Sequence, residues 1–162
     1  MKPTLGYSAP AAVFDRATWT PLLELSSREV FKIMLGTRLD LVQPAGTKNW
    51  EFTALLGLAG SICGVLSVRC SRETARALAG KMLRISPEQI DNESWDAMGE
   101  IANMIAGNFK AFCCVGNTCM LSVPTIIVGS DYESRSLMAS NVIELACEFE
   151  KHPLWITLEL HE

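Results

Sequence analysis

SWDAMGEIANMIAGNFKAF, residues 94–112, is the stretch on which the fold turns. Wound at 3.6 residues per turn, it gathers Trp95, Met98, Ala102, Ile105, Phe109 and Phe112 on one face and Asp96, Glu100, Asn103, Gly107 and Lys110 on another. Such a helix buries one side and displays a carboxylate and an amide on the other. Glu100 and Asn103 stand at i and i+3, so both side chains project in nearly the same direction and can enter a partner's site together. By residue type alone the pair also fits a solvated helix face, with Asn103 satisfying a backbone group. Gly107, one turn beyond Asn103, is expected to let another backbone pack closely.

Working outward, Thr20 and Pro21 read as an N-cap and first helical position and Gly36 as a stop, which predicts a helix over residues 21–35. Trp50, Phe52, Ala54, Leu56 and Leu58 alternate as in a strand, and a second strand over 62–69 completes a hairpin after Gly60 and Ser61. Ser71 caps a helix reaching about Leu83, and Ser86-Pro87-Glu88-Gln89 has the capping-box spacing that leads toward the helix at Trp95. Strands are expected over 120–128, 140–149 and 154–160, the last two joined by a hairpin about His152 and Pro153. Residues 44–49 and 130–136 read as loops.

A short internal repeat links the halves. Residues 28–36, REVFKIMLG, align without gaps on residues 99–107, GEIANMIAG. Glu29 matches Glu100, but Lys32 stands where the second copy has Asn103, so the first copy is expected to be a degenerate remnant. Two halves of helix followed by antiparallel strands can set their long helices side by side on a shared sheet. The predicted fold is therefore α+β, a two-layer arrangement of two long helices on an antiparallel sheet with pseudo-twofold symmetry.

Composition excludes several function classes. A length of 162 residues, 49% hydrophobic and 20% charged, suits one domain with a sizeable core. Residues 1–16, rich in Gly, Pro and Ala, read as a flexible N-terminal extension, leaving 17–162 as a single domain. A net charge of −4 with scattered Lys and Arg offers no basic patch for a phosphate backbone, so no nucleic acid is expected as partner. No apolar run reaches the roughly 20 residues needed to cross a bilayer, so no membrane is expected either. Six cysteines lie mostly in apolar runs and the N-terminus lacks a signal-peptide pattern, which predicts a cytoplasmic protein with reduced thiols. Cys113, Cys114 and Cys119 suggest a metal site at first sight, but the two histidines, His152 and His161, lie far along the chain. They read instead as buried small apolar residues.

The run GEIANMIAGNFK, residues 99–110, resembles the E-x-x-N helix of the CheC/CheX/FliY phosphatases of bacterial chemotaxis, nearest the CheX branch, which carries one such motif per chain. LAGSICGVLSVRCSRETARALAGKML (58–83) is similar to that family's strand, turn, strand and helix, and LSVPTIIVGSDYE (121–133) to its late Pro-Thr strand. The resemblance runs from about Ala17 to Leu160. It implies a phosphatase that accelerates hydrolysis of the aspartyl phosphate of a CheY-like response regulator, with Glu100 and Asn103 as the catalytic pair. Asn103 would orient the attacking water and Glu100 would dock to the regulator's site. The chain itself would bind no cofactor, Mg²⁺ being held by the regulator, and would form a homodimer whose sheets join. Members of the superfamily also bind regulators without efficient turnover, so the alternative is a non-catalytic docking module.

Overall fold

The first helix begins five residues earlier than Thr20 and Pro21 suggest. In the computed structural model, which describes residues 14–45, 50–113, 116–132 and 139–161, α1 (Arg16–Leu35) opens at Asp15, whose carboxylate accepts from the Ala17 amide at 3.1 Å. Pro21 thus lies inside the helix. Aromatic packing carries α1 back past the proline: Phe14 sits edge-on against Trp19 with ring centroids 5.5 Å apart, and Trp19 against Phe109 at 6.0 Å. At the other end Gly36 takes φ +60°, the left-handed geometry that terminates a helix.

Next come β1 (Asp40–Leu41), β2 (Phe52–Gly60) and β3 (Gly64–Cys70), then α2 (Arg72–Leu83), whose Ser71 cap accepts from the Thr74 amide at 3.2 Å as expected. Ser86 opens only a single 3₁₀ turn, Pro87–Gln89, before the long helix α3 (Glu93–Phe112). The expected strand over 120–128 is two strands, β4 (Cys119–Leu121) and β5 (Thr125–Val128). Both pair with β2, but Leu58 faces Leu121 while Leu55 faces Thr125, so one extra residue is accommodated between them. Pro124, which has no amide to give to a ladder, lies in that interruption, and Ser122 spans it, its amide donating to the Gly57 carbonyl at 2.9 Å and its hydroxyl accepting from the Gly57 amide at 2.8 Å.

β6 (Ala139–Phe149) and β7 (His152–His161) end the chain. Their turn is at Glu150 and Lys151, not His152 and Pro153, which pair with Phe149 and Glu148 inside the ladder. A type I′ two-residue hairpin needs positive φ at both turn positions, and Glu150 (46°) and Lys151 (68°) supply it. Lys81 on α2 grips the Glu150 carboxylate at 2.6 Å and holds that carboxyl below the usual range, first through this hydrogen bond.

The sheet runs β1-β6-β7-β3-β2-β4, with β5 also on β2. Exchanging the halves maps β1 to β4 and β5, β2 to β6 and β3 to β7, and this order then reads as its own reverse. Each half lends its first strand to the other half's hairpin, and β3 and β7 pair at the centre. The duplication hinted at by nine residues is thus written into the topology. A third helix, α2, joins the two 20-residue helices on one face of the sheet, where Phe31, Phe52, Leu66, Met98, Ile105, Phe109 and Ile156 form the core.

Candidate functional site

α3 is wedged between α1 and α2 and lies over β2 and β3, so most of its circumference is buried. Ala97, Met98, Ile101, Ala102, Ile105, Ala106 and Phe109 point inward. Trp95, expected on that face, is 46% exposed, because Ser94 and Ala97 fill the inward positions of the first turn and Ala97 packs with Ala79 and Ile90. Small residues there let α2 come close, which leaves no room for an indole.

The remaining outward strip carries Asp96, Glu100, Asn103 and Gly107. Glu100 is exposed and Asn103 half-buried. A separation of three residues gives a rise of about 4.5 Å and a turn of about 300°, so the carboxylate and the amide stand side by side. Every hydrogen bond and ion pair found among the described residues bypasses both side chains. Such groups retain their full donor and acceptor capacity for something outside the chain.

One flank of the strip is fixed by the sheet edge. A Cβ built on Gly99 would lie 3.6 Å from Pro124 Cβ and Ile126 Cδ1, and Lys110 Nζ donates to the Cys119 carbonyl at 2.8 Å. On the helix surface Gly99, Asn103, Ala106 and Lys110 follow at i, i+4, i+7 and i+11, so Asn103 sits between two points at which α3 is pinned to β4 and β5. Lys110, which periodicity placed on the free polar face, is therefore a strut. Contacts between residues 9 and 25 positions apart left no periodic signature from which to foresee this.

The cysteines do not assemble a site. Cys70 and Cys147 are buried, and desolvation pushes the Cys147 thiol up to about 12 and the Cys70 thiol higher still. Cys119 is buried and Cys113 half-buried, while Cys114 lies outside the described residues. Among the described residues no group of three or more His, Cys, Asp and Glu side chains could hold a metal ion. No helix among them is long and apolar enough to cross a membrane. A cavity of about 560 Å³ opens between Val42, Pro44, Trp50, Ala146, Pro153 and Trp155, but none of the strip's residues lines it.

Fold and site together define a duplicated α+β domain that carries a carboxylate and an amide side by side on the outward strip of one long helix. The family model of the chemotaxis phosphatase CheX matches residues 52–148, and the chain belongs to that family. Among solved structures it is similar to the chemotaxis protein CheX from Vibrio vulnificus at 21% identity and a TM-score of 0.77, covering 91% of this chain and 99% of that one. CheX from Desulfovibrio desulfuricans matches at 23% identity and TM-score 0.72, covering 89% and 99%. The CheX-CheY-BeF3-Mg complex from Borrelia burgdorferi matches at 20% identity and TM-score 0.62, covering 89% and 98%. No curated protein matches.

Proposed function

We propose that this chain accelerates hydrolysis of the aspartyl phosphate of a CheY-like response regulator, with Glu100 and Asn103 as the working pair. The observation that carries this reading is a carboxylate and an amide one turn apart on the exposed strip of α3, without partners among the described residues, in a chain of the CheX family. Hydrolysis of an acyl phosphate proceeds through a loose transition state with water and leaving carboxylate in line, so catalysis consists mainly of positioning and electrostatics. The Asn103 carbonyl oxygen accepts a hydrogen bond from that water and aims its lone pair at phosphorus. As the new P–O bond forms, the bond to the aspartyl oxygen breaks and the electron pair leaves with the regulator's carboxylate. Glu100 pairs with a cation beside the phosphorylation site and sets the register of docking. Mg²⁺ belongs to the regulator in this scheme and supplies charge neutralisation there; a relative of this chain is known as a complex with CheY, BeF3 and Mg.

The test is phosphate release from phosphorylated response regulators of the same organism, measured with and without this protein. Acceleration over spontaneous decay is expected for at least one of them. Binding without acceleration would replace the enzyme by a docking module.

The same reading places the protein in the cytoplasm, where such regulators reside and where its five described free cysteines stay reduced. It also proposes a homodimer. Met120 and Val123, on and beside the β4 edge of the sheet, are 70% and 85% exposed, and β1 closes the opposite edge with two residues only. Light scattering at micromolar concentration should give about twice the chain mass; a value near 17.8 kDa would sink the dimer.

A further inference from the structure

Nothing among the described residues requires position 107 to be glycine. It lies in the body of α3, five residues before the helix ends, and glycine is among the poorest helix formers. Two internal explanations account for five of the other described glycines. Gly36, Gly60 and Gly129 adopt positive φ, and at Gly64 and Gly80 a Cβ would stand 2.2 Å from the Glu159 carbonyl oxygen and 3.0 Å from that of Ile85; Gly57 and Gly99 at least have neighbours in ordinary contact, at 3.5 and 3.6 Å. Gly107 has neither: its φ is helical, and apart from its two chain neighbours and the helix backbone no described atom comes within 4 Å of that point. Even the Asn103 side chain, one turn away, is farther than that. No described residue supplies the close backbone that the residue type leads one to expect.

Gly107 shares the outward strip with Glu100 and Asn103, at i+7 and i+4 from them. Asparagine is short. For its amide to reach a water on a partner's phosphate, the helix surface beside it must come nearly into backbone contact with the partner. A methyl group at position 107 would extend about 1.5 Å from the helix, within one turn of Asn103.

We propose that Gly107 is a docking contact: a backbone segment of the phosphorylated partner, next to its phosphoaspartate, lies against the bare Cα of Gly107 while Asn103 and Glu100 reach past it. This rests on the reading that α3 engages a phosphorylated regulator. It adds a specific requirement, that the partner present uncovered backbone at this point.

The decisive feature is a pair of effects with opposite sign. Gly107→Ala should raise Tm by about 2–4 °C, because alanine favours the helix and nothing obstructs its methyl group. The same variant should lose at least about tenfold in phosphate release from a regulator phosphorylated with acetyl phosphate, as expected for a displacement near 1 Å. Its affinity for the beryllofluoride adduct of that regulator should fall in parallel, and Gly107→Gln should lose more of both while keeping the gain in Tm. A higher Tm with unchanged turnover and affinity would overturn the proposal and mark the glycine as a relic shared with Gly36. A lower Tm would overturn it too, by revealing an internal need. If the unaltered protein binds the adduct but does not speed hydrolysis, the catalytic reading fails while the affinity ratio still decides the role of Gly107. If it neither binds nor accelerates, both fall.

Discussion

α1 and α3 occupy equivalent places in the two halves, have the same length of 20 residues, and differ in what they leave outside. Both bury a phenylalanine completely, Phe31 against Phe149 and Phe109 against Trp19. At the positions related by the repeat, α3 shows Glu100, Asn103 and Gly107 where α1 shows Glu29, Lys32 and Gly36. Gly36 caps its helix at φ +60°, whereas α3 runs on through Gly107 for another turn and more. Lys32 is exposed and adds a flexible cation where the other half offers a short amide. Duplication has kept both inward faces apolar, although Phe31 stands where the other copy has Ala102, and has let one outward face specialise, since packing constrains the former and only a partner constrains the latter.

Each helix is anchored by one fully buried ring, at positions the repeat does not relate, so removing either ring should cost alike. Phe31→Ala and Phe109→Ala should each destabilise by about 3–5 kcal/mol in urea titrations, from lost burial plus the cavity left behind. A loss under about 1 kcal/mol at one of them would mean that its helix is not held by that ring.

The outward faces should respond very differently. Asn103→Ala should lower the rate of accelerated dephosphorylation by about 10²-fold, roughly 2.7 kcal/mol of transition-state stabilisation, with Tm moved by no more than a degree or so. Full activity on the correct regulator would end the water-orienting role. Glu100→Ala should act mainly on docking, raising KM about tenfold with a smaller change in kcat; the reverse split would assign the carboxylate to the chemical step. Smallest of all is Lys32→Ala, for which turnover should stay within about twofold, because exposed charges far from a site contribute little. A larger loss would mean that α1 also meets the regulator.

The legible part of the fold was what local chemistry controls. Ser71 as a cap, the period of residues 94–112, the β2–β3 hairpin and the nine-residue repeat follow from neighbours within a few positions. The misjudged elements each depended on a distant contact. Trp19 reaching Phe109 drew α1 back past Pro21, and the pairing of β2 with both β4 and β5 split one expected strand into two. The final turn moved to Glu150 and Lys151, where Lys81 and the Thr37 hydroxyl hold the Glu150 carboxylate.

For the site the division is similar. Glu100 and Asn103 sharing one direction is dictated by helical geometry, so sequence alone determined that the pair acts together if it acts at all. It also determined the duplicated α+β plan, because amphipathic periods say which faces must be buried. Only the tertiary structure decided that no described residue covers the Glu100 and Asn103 side chains, that Lys110 and Gly99 pin the strip to the sheet edge, and that no described side chain or strand meets Gly107. Those are outcomes of which surfaces meet across many residues of chain, and periodicity records that a face is polar without recording what, if anything, lies against it.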